Sequence, residues 1–210
     1  MGRAFTEEER MAVQEKLRRC GLRLFSEKGI RGVSVREVTG AAGIAQGGFY
    51  TFYADKDAFI TDLLVFRIGE KLQMYLERKE ESLADPTGYL TRMLIREGLH
   101  LRDNRAFDQH FSDVMALFEE KGTDTRHQVG EMYRQYLEKM QRYWAAAGWQ
   151  VEIDFQGFEN LLRAGAVLLA HAALMDDLYW RETFEDLCTS GIRRYVQVTG
   201  AESRGRETAE

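Results

Sequence analysis

Apolar residues near the start of the chain fall at Val13, Leu17, Cys20 and Leu24, spacings of 4, 3 and 4 that make one stripe on a helix. This predicts a helix from about Glu7 to Lys28, with Cys20 in its buried face as core and not as a nucleophile. Thr6-x-x-Glu9 has the form of a capping box, and Glu7, Glu8 and Glu9 suit the positive end of a helix. Gly29 is the expected stop, and a second capping box, Ser34-x-x-Glu37, opens a short helix through Ala42. The pattern then predicts a long helix from Asp55 to about Glu81. Asp85-Pro86 reads as cap and first turn of another, to about Leu101. Further helices are expected over roughly 103–121 and 124–147. Gly148 and the mixed stretch Trp149 to Asp154 interrupt the pattern before two last helices, about 155–178 and 181–199. The polar tail, residues 201–210, is expected to be disordered.

Composition sharpens this to an all-α fold. The 210 residues include one proline, Pro86, and 21 Leu against 18 Val plus Ile, which excludes a β-sandwich or barrel. The longest apolar run, Ala164 to Met175, is preceded by Arg163 and interrupted by His171, so it reads as a buried helix and not a membrane span. The first residues carry no apolar core, so no secretory signal is expected, and two cysteines without a pairing pattern fit a reducing cytoplasm. Residues 1–60 hold 10 Lys/Arg against 8 Asp/Glu, a net of +2; residues 61–210 hold 19 against 26, a net of −7. That asymmetry fits a small basic reader of nucleic acid joined to a different functional body, and equally a merely solvated surface.

The segment from Ser34 to Tyr53 carries the specific signal. Ala41-Ala42-Gly43-Ile44 has the make-up of a helix-turn-helix corner: Gly43 supplies a positive φ and the alanines allow close crossing. Val35, Val38, Ile44, Phe49 and Phe52 supply apolar anchors. With Phe49 and Phe52 turned inward at 100° per residue, Gln46, Gly47, Tyr50 and Thr51 face outward, flanked by Gly48 and Tyr53. In a major groove Gln46 has the chemistry to pair with an adenine edge, the glycine N–H groups to approach a phosphate, and Tyr50 and Thr51 to contact phosphate or a thymine methyl. Lys56 opposes the dipole of the helix it begins, which a phosphate partner would account for, and Ser34, Arg31 and Arg36 are placed for backbone contacts. A plain helical corner with incidental polarity is the competing account.

The run Phe25-Ser26-Glu27-Lys28-Gly29-Ile30, Gly32 to Val38, Ala41 to Ile44 and Gly47 to Lys56 resembles the tetracycline-repressor (TetR) family over about residues 10–60. The resemblance implies a homodimeric all-helical repressor whose N-terminal domain, residues 1–55, binds a near-palindromic operator. It also implies release by a small molecule entering a second helical domain, residues 56–200. By position, Tyr50 and Lys56 match the family's phosphate contacts, and Gln46, Gly47, Gly48 and Thr51 its groove-facing residues. Ala45 departs from the usual Ser or Thr cap, and Gly48 from the usual small helix-compatible or hydroxyl residue.

For the larger domain, Phe158, Leu161, Leu162, Gly165, Leu169 and Ala172 form one helical stripe, and Phe184, Leu187, Cys188, Ile192 and Tyr195 a second. Both are expected in a four-helix dimer interface, with ordinary core as the alternative. Tyr89, Met93, His100, Phe107, Phe111, Met115, Tyr133, Tyr136, Met140, His171 and Met175 are the expected lining of a pocket for a small hydrophobic or aromatic ligand, although each reads at least as well as plain core. Glu97-x-x-His100 and His110-x-x-Asp113 fall short of a di-metal bundle, which needs a second Glu-x-x-His pair. No nucleophile elbow, phosphate-cradling loop or Cys-x-x-Cys appears, so no enzyme, cofactor or metal is expected. The second functional reading is a helical small-molecule carrier or enzyme whose N-terminal corner is only structural.

Overall fold

The computed structural model describes residues 6–103 and 123–200. Its helices are α1 (Glu7–Lys28), α2 (Val35–Ala42), α3 (Gln46–Phe49), α4 (Lys56–Glu77), α5 (Pro86–Asp103), α6 (Thr123–Ala146), α7 (Phe155–Ala170) and α8 (Asp177–Tyr195). Short 3-10 turns lie at Lys79–Ser82 and Ala172–Leu174. The fold is all-α apart from one antiparallel ribbon, β1 (Gln150–Ile153) against β2 (Val196–Thr199). The helix expected over 103–121 and the tail from 201 lie outside the described residues. No helix among the described residues is long and apolar enough to cross a membrane.

Two compact units emerge among the described residues: one of 6–68 with 101–103 and 123–125, the other of 69–100 with 126–200. The division falls inside α4. In the first unit both capping boxes form as read, with Thr6 and Ser34 each accepting from, and receiving, the glutamate three residues on. Gly29 and Gly43 take φ of 74° and 69°, the positive values that end α1 and turn the α2–α3 corner. Leu17, Leu24, Phe25, Val33, Val38, Ala42, Phe49, Phe59 and Leu63 share one core. α1 and α4 cross closely at Gly21, where a Cβ would stand 2.5 Å from Phe59 Cζ. Cys20 is only partly buried, at the edge of that core.

In the second unit α7 and α8 pack through the two stripes named above. Gly191 lies against Leu161, Gly157 against Tyr195, and Trp180 stacks on Phe184 with ring centroids 5.2 Å apart. Phe158, Leu161, Gly165, Ala172, Phe184, Cys188 and Ile192 are buried within the single chain, while Leu162, Leu169, Leu187 and Tyr195 stay partly exposed. The expectation is corrected for the seven buried residues, which are core of the single chain, while the four partly exposed ones keep surface that a partner could cover. Spacing reveals that a face is buried but not which surface covers it. The three tryptophans all sit in this unit, their indole N–H groups donating to Ser82 Oγ, the Leu83 carbonyl and the Leu168 carbonyl.

Three helix ends in this unit also differ from expectation. α7 stops at Ala170, and α8 begins at Asp177 behind the Asp176 cap, whose carboxylate accepts from Leu178 N. α8 ends at Tyr195 because Val196-Gln197-Val198-Thr199 pairs with Gln150–Ile153, and Asp154 N donates to the Tyr195 carbonyl. β-branched residues at alternate positions favour the pleated form once a partner strand is present.

Candidate nucleic-acid interface

The α2–α3 corner presents a short surface. α3 is one turn long; Ala45 sits at its N-cap with no side-chain hydrogen bond, and the chain continues as overlapping turns through Phe52 and Tyr53. Phe49 is fully buried, whereas Gln46, Gly47, Tyr50 and Thr51 are exposed and Gly48 partly so. Tyr50 is 55% exposed, its ring edge-on to Phe49. Neither its hydroxyl nor the Gln46 amide nor the Arg36 guanidinium makes a hydrogen bond among the described residues, so each is open to an external partner. The two glycines cost this turn on the order of 2 kcal/mol of helix propensity relative to alanine.

Four residues assigned from the sequence are occupied inside the chain, one of them decisively. Tyr53 is 5% exposed, and its hydroxyl donates to Asp62 Oδ2 at 2.7 Å. Burial, followed by that bond, pushes its phenol well above the ordinary range. It is thus corrected from a groove-flanking contact to an internal anchor. Asp62 also receives Arg18 through Nε at 2.7 Å and Nη2 at 2.5 Å, a bidentate pair that joins α1, the α3–α4 turn and α4. That bond to Asp62 raises the Arg18 pKa against the opposing effect of burial.

Ser34 spends its hydroxyl on the capping box, donating to Glu37 Oε2 at 2.9 Å and accepting from Glu37 N. Lys28 Nζ, 2.7 Å from Glu37, together with the Ser34 N–H and hydroxyl, lowers the Glu37 pKa to about 2. Lys56 Nζ donates to the Ile30 carbonyl at 2.6 Å, and burial lowers its pKa. This is an internal account of the lysine that opposes its helix dipole, and it leaves further ammonium protons for an outside acceptor. Thr51 Oγ1 donates to the Gly48 carbonyl at 2.7 Å.

Arg10 is the neighbour that sequence reasoning missed. Its guanidinium lies 5.1 Å over the Phe52 ring, and Nη2 is 3.4 Å from the Thr51 carbonyl, which sets a cation beside Tyr50 and Thr51. Forty-one residues separate Arg10 from Thr51, and no local pattern links them.

Residues 19–63 match the family described as bacterial regulatory proteins, tetR family. Over this segment the chain is similar to the tetR family. The HTH-type transcriptional regulator AcrR of Shigella flexneri is 27% identical over 90 residues, 43% of this chain and 42% of that protein. The chain spans well under half the length of the curated relatives it matches. A TetR transcriptional regulator from Rhodococcus sp. RHA1 shares the fold, with a TM-score of 0.64 at 17% identity over 89% of this chain and 98% of that one. RolR in complex with resorcinol has a TM-score of 0.58 at 16% identity over 90% of both chains. These relatives and the family are regulators and not enzymes, and the matched residues 19–63 include the α2–α3 corner.

In the second unit the expected pocket lining divides. Tyr89, Met93, Tyr136 and Met140 are buried and Tyr133 partly so, whereas His100, His171 and Met175 are exposed, and Phe107, Phe111 and Met115 lie outside the described residues. His171 and Met175 are corrected from lining to surface because α7 ends at Ala170, and His100 because it lies on the outer face of α5. Glu97 accepts from Tyr75 Oη at 2.7 Å and pairs with Lys71 at 3.2 Å, an internal role for the carboxylate weighed above as a metal ligand. Among the described residues no group of three metal-ligating side chains gathers. The Tyr136 hydroxyl is buried with no hydrogen-bond partner among them.

Proposed function

We propose that the protein is a homodimeric repressor that binds near-palindromic operator DNA through residues 1–55 and is released by a small aromatic or hydrophobic molecule in residues 56–200. The carrying observation is the exposed, unpartnered trio Arg36, Gln46 and Tyr50 on a corner whose every buried anchor is accounted for. Arg and Gln read base edges or phosphates, and a tyrosine hydroxyl reaches phosphate. Two such corners, held about 34 Å apart by a dimer, would address successive major grooves.

For the dimer, the support is an apolar edge at the α7–α8 connection: Leu174, Leu178 and Tyr179 are 82%, 62% and 65% exposed, with Val167 and Met175 alongside. Exposed large apolar side chains concentrated in one short segment fit an interaction site. For the ligand, the support is the buried Tyr136 hydroxyl, which has the Tyr89 hydroxyl as a neighbour but no hydrogen bond of ordinary geometry, an arrangement that is costly unless something satisfies it. RolR, which shares the fold, holds resorcinol, itself a small phenol. Release follows if the ligand prefers a conformation in which the two corners are differently spaced. The cytoplasm is the matching compartment.

The test is selection from a random duplex pool, then fluorescence anisotropy of the enriched duplex at several salt concentrations, with Tyr50→Ala and Arg36→Ala. An inverted repeat, a steep negative salt slope and weakened binding in both variants are expected. No enrichment would reject the reading in favour of the carrier. Sedimentation should give a dimer for the wild type and a monomer for Leu178→Asp; a wild-type monomer on the operator would reject the dimer.

A further inference from the structure

α3 cannot hold its own orientation. It has four residues and no side-chain cap, far below the length of about 12 residues at which a helix begins to sustain itself in water. Burial of Phe49 fixes one point of the segment, but apolar burial is non-directional and leaves rotation about that point open. Directional contacts reach it from one face of α1, where Arg10, Gln14 and Arg18 follow one another at four-residue spacing. Arg10 Nη2 lies 3.4 Å from the Thr51 carbonyl, and Gln14 borders the Tyr53 hydroxyl. Arg18 grips Asp62 through two hydrogen bonds, and the Tyr53 hydroxyl donates to that same carboxylate at 2.7 Å. The Arg18 guanidinium also lies 5.1 Å over the Phe66 ring, one turn beyond Asp62 on α4. Tyr53 itself is 5% exposed, so a duplex feels its hydroxyl only through the position of Gln46, Tyr50 and Thr51 ahead of it.

We infer that Tyr53, Asp62 and Arg18 are positioning residues for base reading: the Tyr53–Asp62 bond, braced by Arg18, sets the angle at which α3 and Tyr50 meet the duplex, and so governs discrimination between sequences and not attraction to DNA. This rests on the DNA-binding reading above and specifies what sets its selectivity. Hydrogen bonds to base edges demand placement within about 0.5 Å and 10–20°. Attraction to phosphates is long-ranged and indifferent to sequence. A loosened turn therefore forfeits the first and keeps the second.

The experiment measures Tyr53→Phe against wild type on the enriched duplex and on an unselected duplex of equal length, at several salt concentrations and below the lowest unfolding midpoint. This substitution deletes only the hydroxyl and keeps the ring, which packs 5.3 Å from Phe49 and 4.8 Å from Phe59. Ile60→Val, a trim of the same core that removes no hydrogen bond, is the control for lost stability. Both should lower the midpoint by about 2–5 °C. Tyr53→Phe should cut the ratio of enriched to unselected binding at least about fivefold, with the unselected duplex bound as by wild type and the salt slope unchanged. Asp62→Ala, which removes the shared acceptor, should reproduce that loss of ratio, while Ile60→Val keeps the wild-type ratio. An unchanged ratio in Tyr53→Phe would overturn the inference and leave the network a matter of stability alone. So would an equal loss in Ile60→Val, or a loss shared by both duplexes with a shallower salt slope, which would assign the hydroxyl a phosphate contact. Wild-type protein that binds no duplex would overturn it together with the reading on which it rests, and that failure is visible before any substitution is made.

Discussion

Asp62 holds three hydrogen bonds with one carboxylate: two from Arg18 and one from the Tyr53 hydroxyl. Asp62→Ala removes all three and strands two donors, one on a tyrosine that is 5% exposed. A hydrogen bond to a charged group contributes about 1.5–3 kcal/mol, and breaking a fully buried ion pair costs about 3–5 kcal/mol. The Arg18 and Asp62 side chains are 25% and 22% exposed, so water recovers part of the loss. The expected net destabilisation is about 3 kcal/mol, or roughly 6–12 °C in the melting midpoint of a chain this size. Asp62→Asn keeps an acceptor for Tyr53 and should lose about half as much. Thermal melts by far-UV circular dichroism, with urea unfolding as a second measure, read the effect. An Asp62→Ala midpoint within about 2 °C of wild type would show that the network does not hold α1, the turn and α4 together.

The remaining predictions concern one exposed and one buried group. The Glu37 pKa is lowered from 4.5 to about 2, so its contribution to stability is fully present above pH 4.5 and is lost as pH falls towards 2. NMR titration of the Glu37 carboxyl should show its midpoint near the lower value, and Lys28→Ala should move it up; an unmoved midpoint would contradict the assigned cause. Tyr136→Phe deletes a stranded hydroxyl, so the ligand-free protein should melt at the wild-type temperature or higher. A drop of more than about 4 °C, some 1–2 kcal/mol, would mean that the hydroxyl already has a partner in solution.

The first unit was legible because its signals are local. Thr6-x-x-Glu9 and Ser34-x-x-Glu37 are four-residue patterns whose geometry closes on itself, and Gly29 and Gly43 mark the ends that they punctuate. The inward turn of Phe49 and the outward turn of Gln46, Gly47, Tyr50 and Thr51 followed from 100° per residue alone. Tyr53 did not, because its position depends on Asp62 on the next helix and Arg18 on the first, partners that no periodicity specifies. The β1–β2 ribbon escaped for the same reason: each strand is four residues, too short to outweigh the helical pattern, and its partner lies about forty-six residues away. At the C-terminal end of α7, Asp176 was the overlooked sign, a cap placed inside a segment read as continuous helix.

The placement of Trp144, Trp149 and Trp180 makes one optical channel blind to half of the molecule. Selective tryptophan excitation draws its emission from the second unit alone, since the first contains only Tyr50 and Tyr53. Any change in tryptophan emission on adding a duplex therefore reports an event felt in the second unit. The native, unlabelled protein thus carries its own reporter of whether the two halves communicate.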